Sequence, residues 1–122
     1  MNLLYLTDRL SHRGGATHHL LDVIGAMSPH HQVTVAAASI DADVRLPDAV
    51  SVHTFGGLRS PTKTLTPLEP LVEWADLVHM QNVMIPSAIE KATRIPSVVT
   101  VQDHRMFCPG PGRTLPTGVA CD

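Results

Sequence analysis

The sequence predicts an α/β domain with a doubly wound parallel sheet, and three observations carry that expectation. Five short runs rich in apolar and β-branched residues recur along the 122 residues. Helical patterns or long polar connections separate them, which is what parallel pairing requires of its crossovers. The runs are close to continuously apolar, the signature of strands covered on both faces. Together they describe a Rossmann-like architecture.

Asn2 to Thr7 is the first strand, feeding a polar loop from Asp8 to Gly15. From Thr17 onward, Leu20, Leu21, Ile24 and Met27 recur at helical spacing until Ser28-Pro29 stops the pattern. Gln32 to Ala38 and Val50 to Phe55 are the second and third strands, the latter closed by Gly56-Gly57. Pro61, Pro67 and Pro70 break the next stretch, so a loop over 58–70 is expected, followed by one helical turn from Leu71 to Trp74. Asp76 to Met80 is a fourth strand and Pro86 to Thr93 a helix with proline in its first turn. Ser97 to Val101 is a fifth strand. Asp103 to Asp122, rich in proline and glycine, reads as loop. No closing helix or strand follows, so the chain is expected to be a fragment of a larger sheet protein, a single lobe spanning 1–122. Trp74 and Phe55 are expected in the core, and the methionines as packing residues.

Composition narrows the function. Charged residues make up 16% of the chain and the formal net charge is −2, with no run of Lys or Arg. That excludes the electrostatic footprint of a nucleic-acid binder. Met1 to Leu6 carries no basic leader and meets Asp8 and Arg9 before an apolar stretch could reach membrane length, so a cytoplasmic protein is expected.

Two glycines, Gly14 and Gly15, fall between the first strand and the first helix. In an open parallel sheet the crevice outside the carboxyl ends of the strands binds ligands, and the first such loop usually lines it. Lacking Cβ atoms, the pair lets a ligand approach the backbone, and the amides opening the helix suit an anion such as phosphate. The plainer reading is that the pair only turns the chain. There is no GxGxxG and no Walker lysine, and Asp41 and Asp43 follow the second strand only loosely. A second group collects near the ends of the fourth and fifth strands: His79 and Asn82, then Gln102, Asp103 and His104. All five are expected to project from the edge that carries the glycine loop. Amide, imidazole and carboxylate groups facing one crevice suit a hydroxyl-rich ligand. Taken singly, each also reads as an ordinary polar group at a strand end.

With those residues in view, the chain resembles the N-terminal half of a family-four, B-type glycosyltransferase. The resemblance lies in Gly14-Gly15-Ala16 with His19-Leu20-Leu21, in Ala75-Asp76-Leu77-Val78-His79 with Asn82 and Pro86, and in Ile95 to Asp103. The segment from Cys108-Pro109-Gly110 through Gly118 to Cys121 is similar to a subset of that family with cysteines in this loop. The resemblance covers almost the whole chain. It implies two lobes around a cleft, this one binding a hydroxyl-bearing acceptor and an absent C-terminal lobe, in cis or in trans, binding a nucleotide-diphosphate sugar. On it, Gly14 and Gly15 face the donor diphosphate, His79, Asn82 and His104 face the acceptor, and Gln102 and Asp103 stand at the reacting centre. Family members are retaining and need no metal or other cofactor, and a membrane surface would be met only through a lipid acceptor.

One departure matters. The family usually has a histidine where Gln102 stands, and glutamine hydrogen-bonds a hydroxyl without taking its proton. Either His104 substitutes or the donor phosphate serves as base. Cys108 and Cys121 could ligate zinc with His104 and Asp103, but their separation is far wider than a CxxC knuckle, and two ordinary thiols are the simpler account. The doublets His18-His19 and His30-His31 are expected at the surface near helix ends, and Asp8 and Arg9 as a solvated loop pair. Two further classes stand beside the transferase: a noncatalytic binding module needing a partner donor lobe, and another Rossmann-like nucleotide binder, which lacks its fingerprint here.

Overall fold

A computed structural model describes residues 1–102. The expectations for Asp103, His104, Cys108 and Cys121 lie outside the described residues. The chain runs β1 (Asn2–Leu10), α1 (Gly15–Met27), β2 (Gln32–Ile40), β3 (Ser51–Thr54), a 3-10 turn (Gly56–Leu58), α2 (Leu68–Trp74), β4 (Leu77–Gln81), α3 (Pro86–Ala92) and β5 (Ser97–Thr100). All five strands are parallel, in the order β3-β2-β1-β4-β5. Helices lie on both faces, so the fold is the doubly wound, Rossmann-like sheet that the apolar runs predict.

The two faces follow from the pleat. Leu4, Leu6, Ala36, Val78 and Met80 pack against Leu68 and Val72 of α2 and Ala88 and Ala92 of α3. Leu3, Tyr5, Val33, Val35 and Ala37 pack under Leu20 and Ile24 of α1. Successive side chains of a strand point to opposite faces, so β1 is buried on both sides from Leu3 to Thr7. Each fully buried leucine there contributes roughly 1.5–3 kcal/mol from apolar area removed from water. The start of β1 is tied to the α2–β4 junction: Asn2 N donates to Asp76 Oδ2 at 2.7 Å and Asn2 Nδ2 to the Trp74 carbonyl at 2.9 Å. Glu69 of α2 is bridged to Lys91 and, at 2.6 Å, to Arg94 beside α3; Lys91 first, then Arg94, hold its carboxyl below the ordinary carboxylate range.

Several boundaries differ from the sequence expectation. β1 continues to Leu10, so Asp8 and Arg9 lie on a strand and not in a loop. β2 runs on to Ile40 and β4 to Gln81. Helix α2 starts at Leu68, ahead of Pro70, because a proline in the first turn gives up an N–H that has no intrahelical partner anyway. The edge strands β3 and β5 are exposed, not covered on both faces. Phe55 is buried as expected, and Trp74 is half-buried against the same core. Met80 packs inside, whereas Met1 and Met84 are exposed.

The 3-10 turn depends on a close backbone approach. A Cβ on buried Gly57 would stand 2.1 Å from the Thr64 carbonyl oxygen, which no rotamer can relieve. Gly57→Ala is therefore expected to destabilise the protein by about 3 kcal/mol. Gly25→Ala, on the exposed face of α1 with open space around its Cβ, should stabilise it by about 0.5–1 kcal/mol. Urea denaturation midpoints moving in opposite directions for the two variants is the result that checks this packing.

Candidate functional site at the strand reversal

Strand order reverses between β1 and β4: the chain steps outward from β1 to β2 and β3, then returns to the other side of β1 for β4 and β5. Loops leaving adjacent strands on opposite sides of such a point open a crevice at the carboxyl edge. Here one wall is the loop 11–14 after β1 with Gly15 opening α1, and the other is Asn82 after β4.

The glycine loop is held from several directions. Ser11, 1% exposed, donates its hydroxyl to Asp41 Oδ2 at 2.7 Å and accepts the Arg13 N–H at 3.0 Å. Arg9 grips the same carboxylate with two nitrogens at 2.8–2.9 Å. The Ser11 hydrogen bond and then Arg9 hold the Asp41 carboxyl below its ordinary range. Thr17 Oγ1 donates across to the Arg13 and Gly14 carbonyls at 2.9 and 3.0 Å. Gly14 takes φ +95°, a conformation that side chains resist, and serves as N-cap of α1 without a side chain to offer. No side chain caps the 13-residue helix and no acidic residue stands in its first turn. Its first N–H groups therefore face the crevice uncompensated, beside exposed Arg13 and His18.

The floor is one rung of the sheet. Register aligns Thr54, Ala37, Thr7, Gln81 and Thr100 across all five strands, on the face that α1 covers. Gln81 is fully buried and its Nε2 donates to the Ala16 carbonyl in the first turn of α1, while its Oε1 is buried without a partner. Thr7, also fully buried, donates to the Arg9 carbonyl at 3.2 Å. Asn82 follows with φ +59°, the single non-glycine residue in the left-handed region among those described. Nothing in the strand pattern singled out Gln81, Thr7 and Thr100; the available signal was that Thr7 and Gln81 each close an apolar run.

Gly14, Gly15, Asn82 and Gln102 all stand at the carboxyl edge, with Gly14, Gly15 and Gln102 exposed and Asn82 half-buried. His79 does not project from it. It is the middle residue of β4, aligned with Tyr5 and Val98, and lies against the sheet face below α1. Its Nε2 shares a 2.6 Å hydrogen bond with Thr100 Oγ1, and its ring sits 5.2 Å from Tyr5. Burial first, then the charge of His19, lowers its pKa, while burial raises that of Tyr5. His18, His19 and His30 are exposed as expected; His31 is half-buried, with Nδ1 enclosed and unpartnered. Among the described residues no three His, Cys, Asp or Glu side chains come together as a metal site, and no helix is long and apolar enough to cross a membrane.

No protein-family model, curated protein or solved structure matches the chain.

The placement of His79 has a pH consequence. Its folded pKa lies below the ordinary value of 6.5, so protonation favours the unfolded chain. The stability that neutral His79 allows is fully present above pH 6.5 and is lost as pH falls from there through the folded pKa. Urea midpoints of wild type and His79→Gln, compared from pH 7.5 to 5, should show the wild type losing more stability on acidification. Parallel profiles would mean that the imidazole is as well solvated in the folded state as in the unfolded one.

Proposed function

We propose that this chain is the acceptor-side lobe of a cytosolic, retaining glycosyltransferase of the family-four, B type. The observation that carries the reading is an uncapped helix N-terminus entered through two exposed glycines at the point where strand order reverses. A diphosphate leaving group gathers negative charge as the glycosyl bond breaks. Fixed amides at the positive end of a helix favour that charge without reorganising at the moment of reaction. Gly14 and Gly15 supply the approach, and Arg13 adds a full positive charge at the rim.

The acceptor hydroxyl enters from the side of β4 and β5. Asn82 and Gln102 can fix it by hydrogen bonds, and neither can take its proton at neutral pH. In this reading the proton passes to Asp103, to His104 or to the departing phosphate oxygen. His79 does not contact the acceptor: it supports the floor through Thr100. The sugar donor is carried by a second lobe, in cis or in trans, and the chain uses no metal of its own for the transfer.

Calorimetric titration with UDP-, GDP- and ADP-glucose, with the chain alone and with any polypeptide encoded directly downstream, tests the proposal. One of these donors should bind, and inorganic pyrophosphate should compete with it. Gly14→Ala, which strains the φ +95° backbone, should weaken that binding by about tenfold or more. Gly15→Ala, whose Cβ would meet no other residue, should leave the fold intact and weaken it only where the ligand presses on the loop. Failure of all three donors under both conditions would leave the glycines as a turn and favour a noncatalytic binding module.

A further inference from the structure

A second cleft lies away from the strand reversal. It has a volume of about 440 Å3 and opens near the amino ends of β2 and β3, on the face that α2 covers. Trp74 and Leu71 of α2 form its apolar side, both also packed on the core beneath. The Trp74 backbone is anchored by the Asn2 side chain, 2.9 Å from its carbonyl. Facing α2 are polar side chains of β2 and β3, with Thr34 and Ser51 aligned in one rung.

Two features make this a site and not merely a gap. Thr34 lines the cleft and makes no side-chain hydrogen bond to any described residue, its hydroxyl being open to the cleft and not enclosed; His31 also lines it, with its Nδ1 enclosed and unpartnered. An accessible hydroxyl with no protein partner is free to hydrogen-bond a ligand in the cleft. Second, the cleft has no Asp, Glu, Lys or Arg in its lining, although the chain carries twenty such residues, nine basic and eleven acidic. A charged ligand would meet no countercharge there.

We infer that this cleft binds a neutral carbohydrate, with a sugar ring lying on Trp74 and Leu71 and its hydroxyls meeting Thr34, Ser51 and His53. Hydroxyl and imidazole groups each donate and accept, as sugar hydroxyls do, and they are spread over two strands instead of being paired along one edge as a nucleobase would need. The volume falls within the range of small-ligand sites. The inference is independent of the transferase reading, since the cleft lies on the other face of the sheet from the rung beneath α1.

Trp74 is the only tryptophan in the chain, so its emission reports this cleft directly. Fluorescence titration of the full chain with maltose, cellobiose and lactose should give a saturable change with at least one of them. Thr34→Val keeps the side-chain shape, removes the hydroxyl, and should weaken that binding about fivefold. Ser51→Ala, at an exposed position that folding does not depend on, should weaken it about two- to fivefold with an unchanged melting temperature. No saturable change up to about 50 mM sugar, equal affinities in wild type and both variants, or a saturable response to adenosine with none to the sugars would each overturn the assignment.

Discussion

β1 is the strand on which the rest is built. It is paired to β2 from Asn2 to Leu10 and to β4 from Leu3 to Thr7, and from Leu3 to Thr7 every residue is buried. A strand in that position can neither slip nor rotate without moving its whole apolar set from one packed face to the other. Both helical layers are therefore registered against it, α1 through Leu3 and Tyr5, α2 and α3 through Leu4 and Leu6. Because β1 is also the strand from which the chain departs in both directions, the same constraint that fixes the core fixes where the crevice opens.

The three central strands were legible in the sequence because burial on two faces leaves apolar runs that little else produces, whereas β3 and β5, exposed at the edges, were legible only through their β-branched residues. β1 could be read from Leu3 to Leu6, β2 from Val33 to Ala36, and the one long helix, α1, from Leu20, Ile24 and Met27. The ends were less legible. Strands β1, β2 and β4 each continue past their apolar run into residues that pair their backbones regardless of side-chain polarity, such as Arg9, Ser39 and Gln81. That is why His79, expected near the end of a strand from Asp76 to Met80, stands in the middle of one running from Leu77 to Gln81. The start of α2 was hidden by Pro70, since a proline reads as a break unless it falls in a first turn.

The candidate site was legible only in part, for a related reason. Gly14, Gly15 and Asn82 announce themselves, two by lacking a Cβ and one by a residue type that tolerates the left-handed region. The partners that hold the glycine loop do not, since Ser11 and Asp41 are 30 positions apart and meet only because β1 and β2 are neighbours. Gln81 and Ala16, separated by 65 positions, meet for the same kind of reason. Pairings of that range are a property of strand order, and strand order is not written in any local pattern.

The polar rung beneath α1 shows why that order matters chemically. A helix N-terminus set on an apolar floor would leave its first turn free to shift, and an anion there would be met by amides in no fixed arrangement. Here Gln81 ties the Ala16 carbonyl from below while Thr17 ties the Arg13 and Gly14 carbonyls from the side, so the loop is fixed before any ligand arrives. The second cleft is built the opposite way: the Thr34 hydroxyl is left open without a protein partner, and an apolar wall of Leu71 and Trp74 stands in place of a helix end. Thr34 aligns with Leu4 of β1, three residues before Thr7, so the two floors are about 10 Å apart along the strand and on opposite faces. Separated by the sheet itself, the two proposed sites would keep their ligands apart, the first offering helix amides and Arg13 to an anion and the second a lining without Asp, Glu, Lys or Arg.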